Sequence, residues 1–223
     1  SATQESITQL LEKLSPEQFC ALACHFPDRL IEVARARKDE WDQAEERMIK
    51  LALIELINKG HIKFNRLAAH FEILEFFEGY FEGVTYLNFM MADPDNHESA
   101  IPPELQVAIM QKCPNTKQLI VFCNRTIPAT ALDNLRFMPK LEKLEFSGIR
   151  LAPNALDNLQ YVPHLRVLNL QACHGLDPNA LTNLHHVREL RALNVYGLIL
   201  APTALNNLQY TTELKELKVA ECK

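Results

Sequence analysis

The chain has 223 residues, 48% of them hydrophobic and 23% charged, which is enough apolar material for a buried core in one extended domain or two small ones. A formal net charge of -5 and a sequence pI of about 5.9 remove any general electrostatic pull toward nucleic acid. The most apolar stretch, Leu51 to Ile57, is interrupted by Glu55 and is far shorter than the roughly 20 residues a membrane span needs.

The start, Ser1 to Ser6, carries neither the basic nor the apolar region of a secretion leader. Six cysteines, Cys20, Cys24, Cys113, Cys123, Cys173 and Cys222, lack the dense spacing of a disulfide scaffold. They read as buried thiols in a reducing compartment, so a cytoplasmic location is expected.

In chain order, Gln4 to Leu14 predicts a first helix, with Ile7, Leu10, Leu11 and Leu14 on one face. Ser15-Pro16-Glu17-Gln18 predicts a fresh start, with serine at the cap, proline in the first turn and glutamine closing a capping box. After Phe26-Pro27-Asp28 a long helical pattern, with a break expected near Lys38, runs to Asn58-Lys59-Gly60, where glycine suits a left-handed C-cap. A further helix is expected over Asn65 to Glu78, ending at Gly79. Residues 1–79 thus read as a helical region that shields the apolar end of the next segment, with Trp41 packed against Met48 and Leu51.

From about residue 80 the pattern changes. Leu-x-x-Leu-x-apolar, a short turn and Ala-Leu-x-Asn-Leu return four times, predicting strands at Leu141 to Phe146, Leu165 to Leu170, Leu190 to Val195 and Leu214 to Val219. The period is 24, 25 and 24 residues, a solenoid signal. Thr116 to Val121 fits the same frame 25 residues earlier, and Val84 to Phe89 is a sixth candidate. Between these two, Asp93 to Ser99 reads as a loop and Pro102-Pro103-Glu104-Leu105 as a helix start.

The Ala-Leu-x-Asn-Leu blocks have helix spacing, as at Ala131, Leu132 and Leu135 and their counterparts through Ala204, Leu205 and Leu208. Pro128, Pro153, Pro178 and Pro202 precede these blocks, where a fixed φ suits a first turn, and Asp177 adds a capping oxygen. One repeat cannot exclude water from both faces, so stacked neighbours must complete the core. The last strand finishes at Val219 with no helix behind it, which predicts an apolar edge that either further chain beyond Lys223 or a partner covers.

This pattern resembles leucine-rich repeats, and the column Asn124, Ile149, Cys173, Leu198 and Cys222 resembles their cysteine-containing subclass, with Ile149 and Leu198 departing from it. Leu165 to Leu176 is the nearest match. The resemblance implies an α/β solenoid of about six repeats over 80–223, with parallel strands on the concave face and short helices on the convex face. Within residues 7–41, Leu10-Leu11, Leu14-Ser15-Pro16, Phe19, Ala21 to Cys24, Val33-Ala34 and Trp41 are similar to the F-box, which docks the adaptor Skp1. F-boxes are paired in known families with such repeats, which hold a substrate for ubiquitination. Irregular repeats behind a helical head are also similar to leucine-rich-repeat effectors of intracellular bacterial pathogens, which implies a host cytoplasmic location.

Every second strand residue points away from the core, which places three lateral columns on the concave side. The first is Tyr86, Gln118, Lys143, Val167, Ala192 and Glu216. The second is Asn88, Ile120, Glu145, Asn169, Asn194 and Lys218, and the third Met90, Phe122, Ser147, Gln171, Tyr196 and Ala220. Aromatic groups, amides and both charges together suit a protein partner. Tyr86, Phe122 and Tyr196 are the expected anchors, Glu145, Asn169, Asn194 and Lys218 the specificity contacts, and Asn88, Lys143 and Gln171 complete the site. The alternative leaves this face solvated and puts the partner on the helical region or an edge.

Asn134, Asn158, Asn183 and Asn207, within the convex helices, read as local hydrogen-bonding residues. Cys20, Cys24 and His25 lack the second ligand pair that zinc requires, and no metal or other cofactor is expected. His185-His186 reads as solvated surface whose rings cannot point one way. There is no phosphate-cradling glycine loop, nucleophile elbow or zinc-protease motif, and the chain reads as non-enzymatic.

Overall fold

The computed structural model describes residues 42–63, 72–89, 101–122 and 127–222, with the single positions 18, 31 and 67. The expectations placed on residues 4–41, including the F-box-like stretch, Trp41 and the Cys20, Cys24 and His25 group, fall outside the described residues apart from Gln18 and Ile31. So do those on Met90, the loop 93–99, Cys123 and Asn124.

Helix α1 spans Gln43–Asn58. Asp42 starts it, its Oδ1 accepting from the Ala44 N–H at 2.8 Å and its carbonyl from the Glu46 N–H at 2.9 Å. At the far end Gly60 has a φ of 74°, its N–H donates to the Ile57 carbonyl, and the His61 N–H reaches back to the Leu56 carbonyl, both at 2.9 Å. These are the two bonds of a Schellman stop, so the glycine ends the helix by the predicted route. Ile49, Leu53, Ile54 and Ile57 are buried at helical spacing, whereas Leu51 is 49% exposed. Two residues turn an α-helix by about 200°, which carries Leu51 away from the face of Ile49 and Leu53. Lys50 pairs with Glu46 at 2.6 Å and lies 5.0 Å and 5.4 Å from the ring centroids of Phe76 and Tyr80. Of the helix expected over Asn65 to Glu78, Leu67 is helical, and beyond Glu72 a short helix α2, Ile73–Phe76, is followed by turns through Gly79, whose φ is 79°.

Six short strands form one parallel sheet in sequential order: β1 Tyr86–Asn88, β2 Gln118–Phe122, β3 Lys143–Ser147, β4 Val167–Asn169, β5 Ala192–Asn194 and β6 Glu216–Lys218. The two irregular copies, at β1 and β2, join the four regular ones in register. The last four strands begin two residues later than the leucine pattern predicts. The first leucine of each motif is spent on a turn: Leu141, Leu165, Leu190 and Leu214 donate to the carbonyls of Met138, Val162, Val187 and Thr211 at 3.1–3.2 Å. Two successive N–H groups then share one carbonyl of the preceding repeat, as Glu142 and Lys143 share that of Lys117, and the ladder opens there. The leucines still fill the core: Leu141, Leu144, Phe146, Leu165, Leu168, Leu170, Leu190, Leu193 and Val195 are all at most 1% exposed.

On the other side of the core lie helix α3, Pro103–Lys112, with proline at its first position as expected, and four 3₁₀ coils of seven residues. The coils are Ala131–Phe137, Ala155–Tyr161, Ala180–His186 and Ala204–Tyr210. Helix spacing takes its tighter form here for a geometric reason. Neighbouring strands stand roughly 4.8 Å apart while packed α-helices need roughly 8–10 Å, so a slimmer coil beginning on a small alanine reduces the mismatch between the two sides of each repeat. Pro153, Pro178 and Pro202 take the second position of the lead-in turn, closed for example by the Ala155 N–H on the Ala152 carbonyl at 3.0 Å. Pro128 departs from this, standing one place earlier and accepting the Ala131 N–H on its own carbonyl at 2.9 Å. A second backbone rail links the repeats ahead of the coils: Ala152, Asp177 and Ala201 donate to the carbonyls of Ala129, Pro153 and Pro178 at 2.9–3.0 Å. The Asp177 side chain accepts from the Asn179 N–H at 2.7 Å, which closes a turn ahead of the coil instead of the expected cap, since the coil's N-cap position is Asn179.

Candidate functional site

Strand register assembles the first two predicted columns. Tyr86, Gln118, Lys143, Val167, Ala192 and Glu216 are successive partners across the sheet, as are Asn88, Ile120, Glu145, Asn169, Asn194 and Lys218. In the third column Phe122 pairs with Ser147, and the backbone bonds of Gly148 to Gln171, Ala172 to Tyr196 and Gly197 to Ala220 carry the alignment beyond the strands. Ile120 and Ser147 depart from the expected exposure at 9% each.

The sheet bends away just past these columns, and two predicted site residues make the bend. Asn169 Oδ1 accepts from the Gln171 N–H and Asn194 Oδ1 from the Tyr196 N–H, each at 3.0 Å. The residue after the third column then takes a positive φ in four consecutive repeats, at Gly148, Ala172, Gly197 and Glu221. Asn169 and Asn194 thus spend one oxygen on local structure, which leaves their outward chemistry to the amide nitrogens; that of Asn194 lies 3.4 Å from Gln171 Oε1.

Several of the other predicted site residues also have partners on the face. Lys143 Nζ and Glu145 Oε1 stand 3.2 Å apart and neutralise each other. The Tyr86 hydroxyl accepts from Asn88 Nδ2 at 3.0 Å. A hydrogen bond to the Glu221 carboxylate, followed by burial and by the charge of that carboxylate, raises the Tyr196 phenol above its ordinary value. Glu221 was not predicted as a site residue, and the sequence signal available was its place beside the third column. Between β3 and β6 lies a depression of about 120 Å³ lined by Val167 and Ala192 together with Glu145, Asn169, Asn194, Glu216 and Lys218. Its centre, on β4 and β5, carries amides and small apolar groups, and its charges sit to either side.

The convex asparagines bond as expected and also further. Asn134, Asn158, Asn183 and Asn207 Nδ2 donate to the carbonyls of Ala131, Ala155, Ala180 and Ala204 at 2.9–3.2 Å. Asn158 also reaches Asp133 and Asn183 reaches Asp157, at 2.9 Å and 3.0 Å, while Gln111 donates to Asn134 at 3.1 Å. At the β1 edge Asn58 does comparable work: Oδ1 accepts from the N–H of Thr85 at 2.7 Å and of Tyr86 at 3.3 Å, and Nδ2 donates to the Gly83 carbonyl at 2.8 Å. An amide in the last turn of a helix, just before its glycine stop, was the only sequence trace of that role.

Cys173 and Cys222 donate through Sγ to the carbonyls of Phe146 and Val195 at 3.3 Å and 3.1 Å. Burial pushes the Cys173 thiol up to about 11 and that of Cys113 up to about 12, so neither is a thiolate nucleophile near neutral pH. The rings of His185 and His186, expected to diverge, have centroids 3.8 Å apart at a tilt of 41°. Both histidines lie within the last turn of the coil Ala180–His186, so the backbone offset between them stays helical and the side-chain torsions bring the rings together. Desolvation, and then the neighbouring His185, hold His186 below the ordinary histidine value. Among the described residues no group of three or more potential metal ligands occurs, and no helix is long and apolar enough to cross a membrane.

No protein-family model and no curated protein matches the chain. Among solved structures it is similar to the leucine-rich-repeat ectodomain of the receptor kinase SOBIR1 from Arabidopsis thaliana, at 16% sequence identity and a TM-score of 0.39, over 61% of this chain and 68% of that one. The 24- to 25-residue spacing, the sequential parallel sheet and the convex coils make this fold a leucine-rich-repeat-like α/β solenoid.

Proposed function

We propose that the chain is a non-catalytic protein-interaction module that holds a partner protein on the concave face of its repeats. The observation that carries this reading is the register, which gathers side chains from six strands into continuous columns around a depression with amides at its centre and charges at its sides. Tyr86, Phe122 and Tyr196 supply rigid aromatic area, and Asn88, Lys143, Glu145, Asn169, Gln171, Asn194 and Lys218 supply the polar frame. Residues 1–79 act as a helical cap on the first repeat, a reading supported by the grip of Asn58 on β1. Unpaired, core-facing thiols at Cys113 and Cys173 favour a reducing, cytoplasmic setting, that of a host cell if the chain is a translocated effector.

The test is affinity capture with the whole chain, identification of the partner by mass spectrometry, and its dissociation constant for the Tyr196→Ala/Asn194→Ala variant. Loss of a central aromatic with its amide neighbour is expected to weaken binding by about 30-fold or more, with the far-UV spectrum retained. An unchanged constant moves the site off this face. The F-box-type alternative, a ubiquitin-ligase adaptor, rests on the resemblance in residues 7–41. It predicts co-elution with purified Skp1 at micromolar concentration, and separate elution ends it.

A further inference from the structure

The two central asparagines of the concave face have their oxygens committed, and that fixes which way their amides turn. Asn169 Oδ1 accepts from the Gln171 N–H and Asn194 Oδ1 from the Tyr196 N–H, each at 3.0 Å. A backbone N–H can only donate, so the atom it meets is the oxygen and the NH2 turns outward in both repeats. Gln171 Oε1 faces Asn194 Nδ2 at 3.4 Å, which turns the Gln171 NH2 outward as well. Asn169 Nδ2 and Gln171 Nε2 have no partner among the described residues. Strands β4 and β5 lie inside the sheet, between β3 and β6, so this arrangement is independent of either end of the sheet. The centre of the face is therefore a group of hydrogen-bond donors whose own oxygens are already engaged.

We infer that this centre takes an extended, uncharged stretch of a partner's polypeptide and holds it by its main-chain carbonyls. The inference rests on the concave face being the binding surface and adds which groups of the partner that surface recognises. A carbonyl oxygen only accepts, so nothing is left unmatched over a group of donors, whereas the hydroxyls of a glycan bring donors that find no free amide oxygen at this centre. A helical segment does not serve, because its carbonyls are spent within the helix. Charge disfavours a carboxylate: Lys143 is neutralised by Glu145 at 3.2 Å, and Lys218 lines the depression together with Glu216. Asn169 and Asn194 are register partners. Their strands stand roughly 4.8 Å apart, and one carbonyl oxygen, about 2.9 Å from each donor, has two lone pairs to span that gap. Beside them Val167 and Ala192, also register partners, line the depression of about 120 Å³. A dry cavity of roughly 150 Å³ accepts benzene, so a single aliphatic side chain of the same segment suits this smaller one.

Panning the full chain against a phage-displayed library of random linear peptides tests this, with the selected peptides synthesised and their dissociation constants measured by fluorescence polarisation. Peptides that share an uncharged core are expected. Asn169→Asp and Asn194→Asp each keep Oδ1 for the turn N–H, and so the wild-type far-UV spectrum, yet turn a carboxylate oxygen outward in place of the NH2. Each should weaken binding by about tenfold or more, since acceptor then meets acceptor. Single N-methylation within the peptide core removes an N–H that the site does not use, and should be tolerated. Val167→Arg fills the depression and reports on the face itself. Binding lost in Val167→Arg but kept in both Asp variants leaves the concave face as the binding surface and overturns the carbonyl-held segment. Binding kept in all three variants removes both. A core that no single N-methylation leaves able to bind is helical or depends on its N–H groups, and overturns the inference, as does a library that returns no binder.

Discussion

Replacing Asn58 by alanine removes three hydrogen bonds from the first strand while leaving every apolar contact of α1 in place. The bonds are unequal. The one to the Gly83 carbonyl is exposed and water can replace it, and the one from Tyr86 is long at 3.3 Å. The part-buried Thr85 N–H, held at 2.7 Å, is the group that alanine strands. An ordinary bond contributes about 0.5–1.5 kcal/mol net, and a stranded buried donor costs about 1–3 kcal/mol. Alanine returns up to about 0.7 kcal/mol as a better helix former, so the expected net loss is about 1–2 kcal/mol. Asn58→Asp keeps the acceptor for Thr85 but sets a carboxylate against the Gly83 carbonyl, and should fall between wild type and alanine. Urea unfolding followed by far-UV circular dichroism gives the stabilities, and amide hydrogen exchange gives the site. Faster exchange at Thr85 and Tyr86 in Asn58→Ala is the specific expectation. Unchanged protection at those two amides would refute the clamp, whatever the stability change.

Gly175 has a φ of 92° and faces the Leu151 carbonyl so closely that a Cβ would collide with it, so Gly175→Ala should cost about 3 kcal/mol in urea unfolding. Ala172, at φ 53° with the same left-handed backbone and no glycine, should tolerate or gain up to about 1 kcal/mol from Ala172→Gly. Leu168→Ala should cost about 3–5 kcal/mol as a core cavity, but Leu217→Ala, already half solvated, only about 1 kcal/mol in dilute protein; equal losses would contradict the exposure of β6. Alkali should weaken the fold through its thiols. Below pH 9 both states keep their protons; above it the unfolded thiols ionise while the folded ones hold theirs until about 11 at Cys173 and about 12 at Cys113. Stability therefore falls as pH rises through that window, by about 1.4 kcal/mol per pH unit per thiol, and Cys113→Ala/Cys173→Ala should flatten the slope. Parallel slopes in the two proteins would exclude the thiols as its cause.

The columns on the concave face were legible in the sequence because strand alternation and a repeat of 24–25 residues fix both coordinates of each side chain on the sheet. Leu141, Leu165, Leu190 and Leu214 misled about strand starts because burial and backbone pairing are separate properties, and a leucine can fill the core from a turn. The 3₁₀ form of the coils escaped because it follows from the spacing between repeats, which no single repeat encodes. Asn58, Glu221 and the paired rings of His185 and His186 depend on contacts between segments or on side-chain torsions. Spacing within an element cannot report those.

The amide bonds on the convex side have a consequence for how such a chain can change in length. Asn158 reaches Asp133 across 25 residues and Asn183 reaches Asp157 across 26, so the units of Ala131–Phe137 and Ala155–Tyr161, which hold both Asp and Asn, carry both halves of such a joint, whereas Thr182 and Asn206 stand at the acceptor position in the two units that follow. A copy of either of the first two units would bring its own donor and acceptor and leave the flanking joints intact. The loss or gain of a few residues within a unit would break two joints at once. Growth of this protein by duplication is thus tolerated only in steps of one repeat.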